Sequence, residues 1–182
     1  MDAGANAYRR FLNGDDGAMT EILRAYREGL TLFLNGYTKN FSDAEDLAQE
    51  VFVRLAVKKP PYRGDAAFRT WLYAIGRNLA LDHLRRQKRA PIPAEDPANA
   101  DRTDAEAIYL GKEKNETLWR VMGTLPDAYR EILFLTYFEG LPNKAAARVL
   151  RKSTHSVETL VHRARRALRT ALEKEGFDNE SL

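Results

Sequence analysis

A chain of 182 residues with 44% hydrophobic and 30% charged residues has the balance of a globular protein, long enough for one ordinary domain or two small ones. It has no cysteine and three histidines (His83, His155, His162), which excludes disulfides, thiolate metal sites and cysteine nucleophiles and leaves little for a histidine metal cage. No apolar run reaches the roughly 18–20 residues of a membrane span, and residues 1–10 carry no apolar signal region, so the expectation is a cytoplasmic protein without membrane insertion.

The net charge of +3 is unevenly spread. Residues 1–90 carry 15 Lys/Arg against 11 Asp/Glu, residues 91–113 carry 2 against 6, and residues 142–174 carry 9 against 2. Two basic blocks flanking an acidic connector suggest a polyanionic partner.

The periodicity is helical throughout. Met19, Ile22, Leu23, Tyr26, Leu30, Phe33 and Leu34 recur at spacings of three and four and mark one helix face. A second helix is expected to start at Ser42, an N-cap with Glu45 three residues on. Its apolar face is Ala44, Leu47, Ala48, Val51, Phe52 and Leu55, and Pro60 and Pro61 stop it. A third runs from about Asp65 to Gln87 on the stripe Phe68, Trp71, Leu72, Ile75 and Leu79. Residues 90–106, APIPAEDPANADRTDAE, hold three prolines and almost nothing to bury, and read as an extended linker.

The second block begins near Asp104. Leu110, Leu118, Val121, Met122 and Leu125 suggest one helix, and Pro126 sits where a first-turn proline is tolerated. Ile132, Leu133, Leu135 and Tyr137 belong to the next, which ends at Gly140. A short helix over 143–150, a four-residue turn over 151–154 and a long helix over about 155–174 form a helix-turn-helix pattern. The inward stripe of the last helix is Val157, Val161, Ala164, Leu168 and Ala171 or Leu172. Residues 176–182 are polar and are expected to fray. The fold class is therefore all-α: two small helical domains, 1–89 and 114–182, joined by an extended acidic linker over 90–113.

Three segments carry chemistry. The last helix shows Arg163, Arg165, Arg166, Arg169 and Lys174 outward, with His155, Ser156, Thr159 and His162 toward its start. Polar groups that reach base edges beside cations that hold phosphates make a recognition helix; a solvated amphipathic helix is the plainer reading. In residues 62–89, Tyr62, Phe68, Trp71 and Tyr73 interleave with Arg63, Arg69, Arg77, Arg85, Arg86, Lys88 and Arg89. Aromatic rings stack on unpaired bases and guanidinium groups hold phosphates. Phe68 and Trp71 also fall on the apolar stripe and fit a core better, while Tyr62 and Arg63 suit an exposed loop contact. The acidic cluster Asp43, Glu45, Asp46 and Glu50 is explained in the main by the preference for acids in a first helical turn. No histidine is expected nearby, so no metal site is assigned, and Asp43, Asp46, Gln49 and Phe52 can instead form a protein-docking face. No nucleophile elbow, P-loop or dinucleotide fingerprint is present, so no catalytic residue and no cofactor is assigned, and the chain is not expected to be an enzyme.

The order of these strings resembles the extracytoplasmic-function sigma factors, the two-domain class of bacterial sigma factor. SDAEDLAQEVFVRL (42–55) resembles their region 2.2, residues 62–86, with the string FRTWLYAIGRNLALDHLR, their regions 2.3 and 2.4, and residues 125–172, from LPDAYREIL to VHRARRAL, their region 4. The resemblance covers about residues 18–90 and 114–175. It implies a transcription initiation factor whose partners are core RNA polymerase and promoter DNA, with an anti-sigma factor as a further candidate. It implies that Asp43, Asp46, Leu47, Gln49, Phe52 and Val53 dock on the polymerase. It implies that the loop 58–65 captures a flipped −10 base, and that Lys58, Tyr62, Arg63, Arg69, Trp71, Arg77, Asn78, Arg85 and Arg86 serve −10 binding and melting. It implies −35 contacts from Lys144, Arg148, Thr154, His155, Ser156, Glu158, Thr159, His162, Arg163 and Arg165, and a linker that threads into the polymerase cleft. The chain departs from the family pattern at several places. Pro142 and Asn143 replace the usual Ser/Thr cap and aromatic, so Asn143 is a candidate cap. Arg151 replaces the turn glycine. Glu158 and Thr159 stand where a cation and a serine are usual, and Leu160 where an arginine is common. An unusual −35 preference is expected, with Glu158 either accepting from a cytosine amino group or pairing along its own helix.

Two other readings exist. A stand-alone helix-turn-helix regulator would leave residues 42–89 without a purpose, and an enzyme acting on nucleic acid through the acidic cluster would lack an acid–base set.

Overall fold

Asp2 organises the start of the chain. In the computed structural model, which describes residues 2–89 and 113–176 with the side chains of 113–117 excepted, one Asp2 carboxylate oxygen accepts from the Ala5 amide at 3.1 Å and the other from the Phe68 amide at 2.6 Å. A single side chain thus satisfies orphan donors at the starts of two helices, α1 (Ala3–Leu12) and α4 (Phe68–Arg89). Helix α1 was not anticipated from the sequence. Its buried side is Gly4, Ala7, Tyr8 and Phe11, and the Tyr8 hydroxyl donates to the Pro60 carbonyl at 2.8 Å, which ties down the loop before α4. Burial pushes the Tyr8 hydroxyl up to about 12, so it remains a donor.

Helix α2 (Gly17–Thr38) buries Ala18, Ile22, Leu30, Thr31, Phe33 and Leu34 along the stripe expected for it. Lys39, in the left-handed region at φ 55°, ends it. Helix α3 (Phe41–Val53) then starts earlier than expected: its cap is Asn40, whose side-chain oxygen accepts from the Asp43 amide at 3.1 Å, and Ser42 lies inside the first turn. The Lys39 reversal sets Asn40 extended and so places the cap there. A π-helical turn, Arg54–Lys58, extends α3 to the positive-φ residue Lys59 and the two prolines. Helix α4 starts at Phe68, three residues later than expected. It buries Tyr73, Gly76 and Ala80 as well as Phe68, Leu72 and Leu79.

The second stretch begins with α5 (Glu113–Thr124), so Asp104, Leu110, the linker 90–113 up to its last residue, and the tail from 177 lie outside the described residues. Helix α6 (Asp127–Leu133) follows Pro126, which holds the cap position, one place earlier than the first turn. It runs into a π-helical turn, Phe134–Phe138, and the chain reverses at Gly140. Helix α7 (Asn143–Leu150) has the bounds expected, but Asn143 is its first helical residue and does not cap; Pro142 holds that position and offers no side-chain acceptor. Helix α8 (Thr154–Lys174) is capped by Ser153, which accepts from the Ser156 amide at 3.1 Å, so the turn before it is one residue shorter than expected.

That turn closes by the Lys152 amide bonding the Ala147 carbonyl and the Arg151 amide the Arg148 carbonyl, the paired pattern in which a left-handed residue ends a helix. Arg151 holds φ 53°, ψ 44° where glycine would be unstrained. Arg151→Gly should therefore stabilise the folded chain by about 1 kcal/mol. Urea denaturation reads this directly, and an unchanged midpoint would show that the turn relaxes by another route.

Every element among the described residues is helical. Helices α1, α3 and α4 pack around α2; α5, α6 and α7 pack on α8. The two groups also meet. Helix α4 lies on α7 and α2 on α6, and the buried apolar residues form one continuous core through both. At the seam the Phe33 ring sits 5.1 Å from Tyr73 and 5.8 Å from Phe134.

Candidate functional surfaces

Helix α3 has two faces with different fates. Leu47 and Phe52, expected at a docking surface, are 4% and 5% exposed and belong to the core. Their register at spacings of three and four with Ala44, Ala48, Val51 and Leu55 turns them inward. The outward face carries Ser42, Asp46, Gln49 and Val53, with Asp43 half-buried beside it. Val53 is 57% exposed, and Val57, one turn further in the π-helical segment, is 75% exposed. The sequence reading missed Val57, although its spacing of four from Val53 was the available signal. Two uncovered valines rimmed by Asp46, Gln49 and Lys58 form an apolar strip of the kind used in protein contacts.

Three of the four acids in the cluster have basic side chains beside them. Glu50 bonds Arg54 at 2.6 Å, Glu45 lies 3.5 Å from Arg27, and Asp43 lies 3.8 Å from His83. The expectation that no histidine is near is thereby corrected: the packing of α4 on α3 brings His83 to Asp43 from forty residues away. Among the described residues no group of three or more His, Asp or Glu is placed to hold a metal.

The second surface is the loop 58–65 with α4. Lys58 and Arg63 are exposed. Tyr62 is less free than expected: its hydroxyl donates to the Ala66 carbonyl, and its ring meets Phe68 and Trp71 at 5.7 and 5.2 Å. Phe68 is fully buried, as its place on the stripe suggested. Trp71 is half-buried, with one edge against Tyr8 at 5.3 Å. Tyr73 is fully buried, which removes it from any base platform. Asn78 is half-buried; Arg85 and Arg86 are exposed, with Arg85 paired to Asp82 at 2.5 Å.

The third surface is α7–α8. Lys144, Arg148, Thr154, His155, Ser156, Glu158, His162, Arg163 and Arg165 are exposed, and Thr159 is half-buried. Ser153 and Ser156 hydroxyls bond each other at 2.8 Å at the helix start, and the Arg165 guanidinium stacks 5.0 Å from the Tyr137 ring. Val157, Val161, Ala164 and Leu172 turn inward, while Leu168 and Ala171 are half-buried. Glu158 makes no hydrogen bond or ion pair among the described residues, so the expected alternative of pairing along its own helix is not realised. Leu160, half-buried, supplies no cation where the family pattern has one.

Three of these cations bond acceptors across the seam, Arg148 from an exposed position. Arg77 Nε bonds Glu131 at 2.8 Å, and both side chains are about as buried as each other, at 14% and 13% exposure. Burial pushes the Glu131 carboxyl up to about 7 against the pull of Lys152, and burial also pushes the Arg77 guanidinium down, both marks of a pair held out of water. Arg69 donates to the Glu139 carbonyl at 2.7 Å and lies 3.6 Å from its carboxylate. Arg148 of α7 donates to the Asp65 carbonyl in the loop before α4. Glu131 and Glu139 were not singled out from the sequence, where nothing marks them apart from other surface acids.

Residues 22–90 match the Sigma-70 region 2 family, and residues 115–168 match Sigma-70, region 4. The chain is 32% identical over 165 residues to the ECF RNA polymerase sigma factor SigM of Bacillus subtilis (strain 168), covering 88% of this chain and 98% of that one. The chain belongs to the extracytoplasmic-function (ECF) sigma factors. It is also 31% identical to the RNA polymerase sigma-H factor of Pseudomonas aeruginosa, over 90% of this chain and 91% of the relative. The fold is shared with CnrH, solved in complex with the cytosolic domain of CnrY, at a TM-score of 0.68 and 23% identity over 95% of this chain and 99% of that one. It is shared too with the sigma factor RpoE of Bartonella quintana, solved with the anti-sigma factor NepR, at a TM-score of 0.65 and 20% identity over 85% and 96% of the two chains. This ECF member is an alternative sigma factor that directs transcription. The stand-alone regulator is not favoured, because region 2 accounts for the residues that reading left unexplained. No helix among the described residues is long and apolar enough to cross a membrane.

Proposed function

We propose that this sigma factor docks on core RNA polymerase through the outward face of α3 and confers promoter specificity by reading two elements. The start of α8 and the cations of α7 read −35 duplex in the major groove. The loop 58–65 and the exposed edge of α4 hold the −10 strand once it is unpaired. The supporting observation is the joint exposure of Thr154, His155, Ser156, Glu158 and His162 on one end of a helix seated by a short helix and a tight turn. Unstacking a base costs a few kcal/mol, and tighter holding of single strand than duplex offsets it, so opening needs no nucleotide hydrolysis by this chain. It acts as a non-catalytic subunit, in the cytoplasm where its template is.

Residues 1–89 form the unit for polymerase and −10, residues 114–182 the unit for −35, and the acidic residues 90–113 lead between them. An anti-sigma factor is a fitting regulator, as suggested by the RpoE structure solved with the anti-sigma factor NepR. The test is run-off transcription with bacterial core polymerase and a pool of promoter fragments. Transcripts that require the protein support the proposal, and their aligned upstream sequences give both elements. Tight duplex binding by the chain alone, with no core binding and no transcript, would overturn it.

Glu158 carries a narrower expectation. An exposed carboxylate at the start of a recognition helix accepts from cytosine N4 and repels phosphate. Glu158→Ala should relax one −35 position, lowering discrimination there by about 1–3 kcal/mol, as read by binding or transcription across a randomised −35 library. An unchanged preference at every position would remove Glu158 from base reading.

A further inference from the structure

The loop assigned to base capture has little of its own to hold it. Residues 60–66 make no backbone–backbone hydrogen bond among the described residues, and Pro60 and Pro61 have no amide to offer. Lys59, which enters the loop, sits in the left-handed region at φ 44°, a strained place for a residue with a side chain. We infer that α1 holds this loop in its base-accepting shape, with Asp2, Tyr8 and Phe11 as positioning residues for −10 reading; this rests on the sigma-factor function proposed above.

The three residues reach the loop at both ends. At its start the Tyr8 hydroxyl donates to the Pro60 carbonyl at 2.8 Å, and the Lys59 ammonium lies 4.9 Å over the Phe11 ring, a cation–π contact that favours the place Lys59 takes. At its end Asp2 accepts from the Phe68 amide at 2.6 Å. The Tyr8 ring meets Phe68 at 5.6 Å and Trp71 at 5.3 Å, so α1 also backs the ring assigned to strand opening. Tyr62 and Arg148 bond loop carbonyls too, at Ala66 and Asp65. Both belong to the DNA-contact sets, which leaves α1 as the hold that DNA does not compete for. None of the groups assigned to polymerase or DNA lies on α1.

Gly4 shows how closely α1 is seated. A Cβ there would lie 2.4 Å from the Tyr26 hydroxyl and 2.5 Å from Phe68 Cδ1. A glycine inside a helix is otherwise unfavourable, and the close approach of α1 to α2 and α4 accounts for it. A loop held in shape before the strand arrives has little ordering left to do on binding. A loosened loop must be ordered by the strand itself, and affinity falls. The start of α8, which is assigned to the −35 duplex, does not share that cost.

The test uses the full chain. Tyr8→Phe removes one hydroxyl and keeps the ring, and Asp2→Asn leaves a single carboxamide oxygen for two amides; two routes guard against one variant failing to fold. Trypsin reads the loop through the exposed Arg63, since Pro60 blocks cleavage after Lys59. In the folded variants, cleavage after Arg63 should quicken about fivefold on loss of one hydrogen bond. In holoenzyme with core polymerase, affinity for single-stranded −10 DNA from the promoters that run-off transcription selects should fall about fivefold. Affinity for the −35 duplex of the same promoters should stay as in the wild type, a split that a general loss of stability would not produce. Unchanged cleavage and −10 affinity in a folded variant, or equal weakening of −10 strand and −35 duplex, would overturn the positioning role. Trypsin also separates the two ideas: a loop that loosens as described in a chain that supports no transcription would contradict the sigma reading alone.

Discussion

Val53→Glu should reduce binding to core RNA polymerase about tenfold or more, equivalent to at least about 1.4 kcal/mol, and remove run-off transcripts, while leaving the denaturation midpoint where it was. Val53 is 57% exposed, so a glutamate there meets water and disturbs no packing in the free protein. At an interface the same side chain would bring an unpaired charge into the apolar strip shared with Val57, and isolated charges at the centre of a contact are costly. Leu47→Ala and Phe52→Ala offer the contrast. Both side chains are in the core, so their truncation lowers stability by about 2–5 kcal/mol and affects polymerase binding only through unfolding. Pull-down of core polymerase together with a urea titration of each variant separates the two effects. If Val53→Glu binds core as well as the wild type, the docking face lies elsewhere.

Phe68→Ala should destabilise the chain by about 3–5 kcal/mol, a large part of the 5–15 kcal/mol available to an ordinary domain. Phe68 is fully buried and its ring meets Tyr8, Tyr26, Tyr62 and Trp71 at 5.5–5.7 Å. It also begins α4, where its amide is held by Asp2. Trp71, in the same cluster but half-buried, should behave differently. Trp71→Ala should lower stability less than Phe68→Ala and still prevent promoter opening, measured by permanganate reactivity of unpaired thymines in the polymerase complex. Equal loss of stability in both variants, with opening intact in the folded fraction of Trp71→Ala, would assign Trp71 to the core alone.

The helix-turn-helix was legible because its signals are local. The bounds of α7, the inward Val157, Val161 and Ala164 of α8 and the strained place of Arg151 all follow from spacing and turn chemistry within a few residues. Errors of one to three residues arose where a cap was chosen by contacts the spacing does not contain. Asn40 caps α3 because Lys39 reverses the chain, and Phe68 begins α4 because Asp2, sixty-six residues away, accepts its amide. Helix α1 escaped notice since its apolar side is short and two of its buried positions are Gly4 and Ala7, which carry little hydrophobic signal. On α3 the stripe identified Leu47 and Phe52 correctly as apolar-face residues, and both lie in the core at 4–5% exposure.

The all-helical class, the register of the main helices, the position of the cations and the family are all legible in the amino-acid order, since each rests on periodicity, composition or strings of neighbouring residues. Which cations are free was decided only by the tertiary structure. Arg63 and Arg163 face water, whereas Arg69, Arg77 and Arg148 meet acceptors 70, 54 and 83 residues away. Such pairings depend on how two helical groups dock, and docking is set by the shape of whole faces, Gly29 against Glu139 and Phe33 against Phe134 among them, which no local pattern of residues encodes.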